Sequence, residues 1–129
     1  MTHDQLQAAC HAWAWNAYPH MRRRYYSVPN SATGFMGRIK AQQLVALGLI
    51  AGVWDMPVYD AQGATHWIEF KVDGDEISDA QWRFFGAMYP LGNQFFYEVR
   101  EICKFQSIFG AIANNMHEIL QKLQINCKI

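Results

Sequence analysis

Apolar residues first recur at helical spacing over residues 4–18, where Leu6, Ala9, Cys10, Trp13 and Ala17 mark one side and Pro19 stops the run. Asp4 is the candidate cap of that helix. Residues 24–28, carried by Tyr25 and Tyr26, read as a short strand, and Pro29-Asn30 opens a loop. Gly34 leads into a helix over 36–47, with Ile39, Leu44 and Leu47 as its apolar positions and Gly48 suited to its C-terminal cap. After Gly52 a strand is expected over 53–59, a hairpin turn at Asp60-Ala61-Gln62-Gly63, and a second, antiparallel strand over 65–72. Ser78 can cap a helix running to Met88, Pro90-Leu91-Gly92 breaks it, residues 94–99 form a third strand, and residues 101–123 are helical with a break near Gly110. The order α, β, α, β, β, α, β, α predicts an α/β sandwich: a small mixed sheet flanked by helices.

Composition sharpens this in one respect. With 129 residues, 51% hydrophobic and 17% charged, the chain can bury a single core without disulfides or a structural metal, and it is neither disordered nor long enough for two domains. Eleven Lys and Arg cancel eleven Asp and Glu, so net charge singles out no nucleic-acid partner and leaves a local basic patch open. Cys10, Cys103 and Cys127 are odd in number and form no CxxC pair, which excludes a readable disulfide framework or zinc ribbon and favours a reduced, cytoplasmic setting. The start of the chain lacks a signal-peptide pattern, and the longest mainly apolar stretch, 44–54, is too short to span a bilayer, so no membrane partner is expected.

The second strand of the hairpin carries the candidate chemistry. Along Trp67-Ile68-Glu69-Phe70-Lys71-Val72, alternation sends Ile68, Phe70 and Val72 to one face and Glu69 with Lys71 to the other. Asp55, on the preceding strand, comes near Glu69 if the antiparallel register allows. Two carboxylates converging on one point form a hard, oxygen-rich site suited to Mg²⁺ or Mn²⁺. A lysine beside that ion can orient or deprotonate a water, or stabilise charge building on a phosphate, and the chemistry implied is phosphodiester hydrolysis. Taken alone, Glu69-x-Lys71 reads more readily as a solvated strand face or a salt bridge.

The surrounding sequence resembles the VRR-NUC family, the virus-type replication-repair nucleases of the PD-(D/E)XK superfamily. Its early tract is similar to Trp13 through Tyr18-Pro19 and then Val28-Pro29-Asn30; its middle tract is similar to Leu44 through Gly48 and Gly52-Val53-Trp54-Asp55. The core matches Ile68-Glu69-Phe70-Lys71, and the Ser-x-x-Gln that follows matches Ser78-Asp79-Ala80-Gln81. Trp54 stands where the family has proline, and Asn30-Ser31-Ala32 lacks its glycine pair, departures that bear on loop geometry and DNA fit. The resemblance implies a restriction-endonuclease-like core, with Asp55 and Glu69 as metal ligands, the Phe70 backbone carbonyl as a further ligand, Lys71 as the catalytic lysine and Gln81 reaching into the site from a helix. It also implies an acidic residue from the first helix; Asp4 is the nearest, and a capping role for it stays open. The expected activity is Mg²⁺- or Mn²⁺-dependent cleavage of branched DNA such as Holliday junctions by a homodimer, in a protein of phage or prophage origin. A nuclease for flaps, nicks or single strands, and a non-catalytic DNA- or protein-binding module on the same fold, are the alternatives.

Arg22-Arg23-Arg24 beside Tyr25 and Tyr26, extended by Arg38, Lys40 and Arg83, is the candidate DNA-backbone contact, with a solvated surface as the plain alternative. Trp13, Trp15, Trp67 and Trp82 are read as core or subunit interface rather than base-stacking platforms. Asp73-Gly74-Asp75-Glu76 is a polar turn and not an EF-hand, since an EF-hand register would put Ala80 at the closing ligand position. His117-Glu118 begins like HExxH, but Gln121 ends the match.

Overall fold

A computed structural model describes residues 1–29 and 34–125; the Asn30-Ser31-Ala32 departure and Cys127 lie outside the described residues. Three strands, β1 (Met56–Tyr59), β2 (Thr65–Phe70) and β3 (Gln94–Val99), form one sheet in the order β1-β2-β3. β1 and β2 are an antiparallel hairpin with Met56 opposite Ile68, whereas β2 and β3 run parallel with Glu69 opposite Glu98. The helices are α1 (His3–Ala17), α2 (Gly34–Ala46), α3 (Asp79–Met88), α4 (Ile102–Ala113) and α5 (His117–Leu123). This is an α/β chain with a small mixed sheet and flanking helices.

Every residue of β2 is buried, and strict alternation divides its side chains between two clusters. Ile68 and Phe70 join Met56, Val58, Tyr97 and Val99 under α1 and α4, which contribute Leu6, Cys10, Phe105 and Phe109. Trp67 and Phe96 face the other way, onto Trp54 and the α3 residue Phe85. Glu69 lies on this second face, at the carboxyl end of β2. In open α/β sheets, ligands are taken in the crevice at such strand ends.

Several expected boundaries shift. Thr2, not Asp4, caps α1: its hydroxyl accepts from the Gln5 N–H while the Gln5 side chain accepts from the Thr2 N–H. The strand expected over 24–28 reduces to a single bridge from Tyr25 to Val58, because the chain leaves a 3₁₀ turn (Pro19–Met21) through Arg23 at φ 72° and cannot enter extended pairing earlier. β1 begins at Met56 rather than 53, since the Trp54 indole turns to donate to the Gln81 carbonyl at 3.1 Å. β2 ends at Phe70 rather than 72. The final helix breaks at 114–116, where Asn115 adopts φ 56°, and not at Gly110. Gly110 serves packing instead: a Cβ there would lie 3.0 Å from the Tyr18 hydroxyl. The helix expected from 36 starts at Gly34. Among the described residues no helix is long and apolar enough to cross a membrane. Cys10 and Cys103 are free thiols, and burial pushes Cys10 up to about 12.

Behind the hairpin turn sits a buried polar chain. His66 Nδ1 meets the Tyr97 hydroxyl and Nε2 meets Asp60 Oδ2, both at 2.9 Å, while Asp60 Oδ1 accepts the Gln62 and Ala64 N–H groups. The bonding pattern assigns Nε2–H as donor to Asp60 and Nδ1 as acceptor from Tyr97. Burial holds His66 below 6.5 despite its Asp60 bond, with His117 acting in the same direction. Burial alone would raise Asp60, but its bonds from His66, Ala64 and Gln62 outweigh that and hold it below 3.8. The unfolded chain therefore takes up protons that the fold refuses, first below 6.5 and then below 3.8, and both groups remove stability as pH falls. Thermal unfolding followed from pH 8 to 5 should show the advantage of the natural chain over His66→Asn shrinking below about pH 6.5, the ordinary histidine value. A pH-independent difference would contradict the neutral assignment.

Candidate metal centre

Extending the hairpin register by one pair beyond Met56–Ile68 sets Asp55 opposite Glu69, and the structure brings them into contact. The Asp55 N–H donates to Glu69 Oε1 at 3.1 Å, and Asp55 Oδ2 accepts the Phe70 N–H at 2.9 Å. Phe70 thus meets Asp55 through its amide. Glu69 Oε2 accepts from Gln81 Nε2 at 2.6 Å and lies 3.4 Å from Lys71 Nζ. Asp55 and Glu69 are 4% and 2% exposed, so two carboxylates are sealed side by side with one ammonium to offset them.

The helix α3 is built to hold Gln81 there. Ser78 caps it, accepting the Gln81 N–H, while Gln81 Oε1 accepts the Ser78 N–H. That reciprocal pair fixes the Gln81 amide so that its NH₂ points at Glu69. The helix start also abuts Gly52, whose φ of 90° lets the chain pass against Ala80 and Gln81 where a side chain has no room.

His3 completes the cluster. Its Nε2 lies 2.9 Å from Asp55 Oδ2 and its Nδ1 3.2 Å from Asp4 Oδ1. One donor atom each from His3, Asp55 and Glu69 lies within 4.8 Å of the other two. Asp4 is not in this group: its side chain is 94% exposed and touches the cluster only through His3. The first-helix residue at the site is therefore His3. The signal for it was present in the periodicity, because residues 3, 6, 10 and 14 share one helix face and Leu6, Cys10 and Ala14 are its buried members.

The charges respond to this crowding. Burial, then the Asp55 charge, pushes Glu69 up to about 7 against the pull of Lys71 and the bonds from Asp55 and Gln81. In the metal-free chain a raised carboxyl contributes stability at acid pH that is lost as pH rises from 4.5 to about 7, the opposite sense to the Asp60–His66 pair. Burial opposes a charge on His3, yet the bond and charge of Asp55, with Asp4 and Glu69, hold it above 6.5.

The basic candidates are all exposed. Arg22 donates to the Trp15 carbonyl at 3.0 Å and stacks on the Trp15 ring at 4.7 Å, about 18 Å along α1 from His3 at 1.5 Å per residue. Arg23 and Arg24 are exposed beside it, and Arg38 and Lys40 are exposed on α2. Arg83 is exposed on α3, about 200° around the axis from Gln81 and so off the face that meets Glu69. On the sheet, Glu98 stands next to Glu69 but is held by Arg100 at 2.5 Å, which also donates to the Val72 and Asp75 carbonyls and pins the loop after β2. Trp67 is buried and Trp13 and Trp82 are partly so, as expected, but Trp15 is 41% exposed. No protein-family model, curated protein or solved structure matches the chain.

Proposed function

We propose that the chain is a metal-dependent endonuclease that hydrolyses phosphodiester bonds in branched DNA. The observation that carries this reading is the convergence of the buried Asp55 and Glu69 with the half-buried His3, and of Lys71 against Glu69, at the carboxyl end of β2. Nucleases of the resembling family use the same two carboxylates and lysine in the same order along the chain.

The donor set fits a divalent ion. Two carboxylates and one imidazole would hold Mg²⁺ or Mn²⁺, and the nitrogen ligand favours Mn²⁺ of the two. Such an ion supplies Lewis-acid stabilisation of charge on the phosphate and makes water a better nucleophile near neutral pH. Asp55, Glu69 and His3 would hold it, with the Phe70 N–H fixing one carboxylate and the Gln81 amide the other. Lys71 Nζ, positioned by Glu69, orients the attacking water and balances the charge that builds on the phosphoryl oxygens.

Among the described residues the chain holds one such cluster, so paired cuts across a four-way junction need a twofold dimer. The test incubates purified protein with labelled four-way junction, flap and linear duplex in Mg²⁺, Mn²⁺ or EDTA. Cuts that require the ion and prefer a branched substrate support the reading; no cleavage of any substrate with either ion overturns it. A binding module without turnover is the second reading, favoured by one observation: His3 Nε2, Asp55 Oδ2 and both Glu69 carboxylate oxygens are already hydrogen-bonded within the protein. DNA bound but never cut would select it.

A further inference from the structure

Immediately beside the carboxylate cluster, a groove of about 500 Å³ opens between α1 and the segment 25–27. Asp4, Gln7, His11 and Trp15 form one wall, spaced three or four residues apart so that they line a single helix face. Tyr25, Tyr26 and Ser27 line it from the other segment. The groove adjoins the site through two neighbours in the chain: Asp4 follows His3, and Met56, also in the lining, follows Asp55.

Its lining is aromatic with polar edges. His11 lies 5.7 Å from the rings of both Trp15 and Tyr25, and Trp15 and Tyr26 remain 41% and 51% exposed. The Gln7 amide donates to the Ser27 hydroxyl at 3.2 Å and the Tyr25 hydroxyl meets His11 Nδ1 at 2.9 Å, so two polar contacts tie the walls together. The far end is positive: Arg22 stacks on Trp15, and Arg23 and Arg24 are exposed next to it.

We propose that this groove holds unpaired nucleobases of a DNA strand that leads into the carboxylate cluster. The proposal rests on the nuclease reading and adds the substrate class: DNA with a single-stranded element beside the scissile bond. The volume falls within the range of sites that enclose small ligands. Exposed rings accept any base by stacking, because each has a π-face, and the arginines at the Trp15 end suit the anionic backbone. Bases already paired and stacked in continuous duplex cannot enter such a groove. The roughly 18 Å from His3 to Trp15 along α1 spans about five stacked nucleotides at 3.4 Å each.

The experiment measures binding of the full chain, in Ca²⁺, to three labelled probes: a flap with an unpaired thymidine tail, the same flap with abasic sites in the tail, and a blunt duplex. The natural chain should prefer the thymidine flap to the abasic flap, a comparison that needs no variant. Trp15→Ala and Tyr26→Ala should each weaken thymidine-flap binding by about tenfold and leave the abasic flap and duplex unchanged. Equal binding of thymidine and abasic flaps, or undiminished flap binding by both variants, overturns the proposal while metal-dependent cleavage of duplex or junction keeps the nuclease reading intact. If Trp15→Ala instead dissolves a dimer in sedimentation and flap binding is unchanged, the groove is a contact between copies and the proposal falls. If the natural chain neither binds nor cuts any DNA, the nuclease reading falls and the groove assignment with it.

Discussion

Lys71→Ala is expected to slow metal-dependent DNA cleavage by roughly 10²- to 10⁴-fold, the usual range for removing a positioned proton-handling or charge-stabilising group. Lys71 is the cation of the cluster, its side chain only 12% exposed and 3.4 Å from Glu69 Oε2. Removing it leaves Asp55, Glu69 and His3 in place, so ion binding should survive while turnover does not. The fold should survive as well, because Lys71 lies beyond the end of β2 and outside both apolar clusters. Single-turnover cleavage of a labelled branched substrate, with Mn²⁺ binding measured in parallel, separates the two properties. Cleavage by Lys71→Ala at the natural rate would remove the lysine from the mechanism.

Gly52→Ala should cost about 3–5 kcal/mol, combining a left-handed backbone that an alanine resists with a steric clash that a packed segment cannot absorb. At φ 90°, the added Cβ would lie 2.3 Å from the Ala80 carbonyl carbon and oxygen and 2.8 Å from the Gln81 nitrogen. These are backbone atoms of the first turn of α3, so relief requires the chain or the helix to move. For a domain of this size the melting temperature should fall by roughly 10–20 °C, read by circular dichroism. Since the displaced turn carries Gln81 and the carbonyl that accepts the Trp54 indole, any folded population should also bind ions less tightly. An unchanged melting temperature would mean that the close approach of Gly52 to α3 does not persist in solution.

The parts of the fold that were legible in the sequence are those set by short-range rules. The Asp60–Gly63 turn, the alternation along β2, and Ser78 with Gln81 three residues on each depend on neighbours in the chain. Given the hairpin, the Asp55–Glu69 juxtaposition depended only on register, and the pairing of Met56 with Ile68 supplies it. What escaped depends on long-range packing. Gly110 looks like a helix breaker, but its bare Cα is filled by Tyr18 from the far end of α1, and the break falls instead at Asn114–Asn115. Tyr25 and Tyr26 favour a strand locally, yet the segment pairs with β1 only through an isolated Tyr25–Val58 bridge and scattered bonds, Tyr59 N–H to the Arg24 carbonyl and Val28 N–H to the Asp55 carbonyl.

The site shows the same division. An acidic residue was sought on α1 and Asp4 was nearest, but the helix starts one residue earlier than its apolar pattern implied, with Thr2 as cap. That start rotates His3 onto the face shared with Leu6 and Cys10 and leaves Asp4 on the groove side. Trp15 does not join the core: at the last turn of α1 its ring meets Arg22 and His11 and stays 41% exposed, which leaves a subunit interface open to it.

The proposed function stands on Asp55, Glu69 and His3 holding one divalent ion. Isothermal titration of Mn²⁺ into the full chain at pH 7.5 tests it without any assumption about substrate. One ion per chain is expected, with binding lost in Glu69→Ala, weakened in His3→Ala and retained in Lys71→Ala. Absence of binding at millimolar Mn²⁺, or binding indifferent to Glu69→Ala, would contradict it and leave the cluster as a structural network of the core.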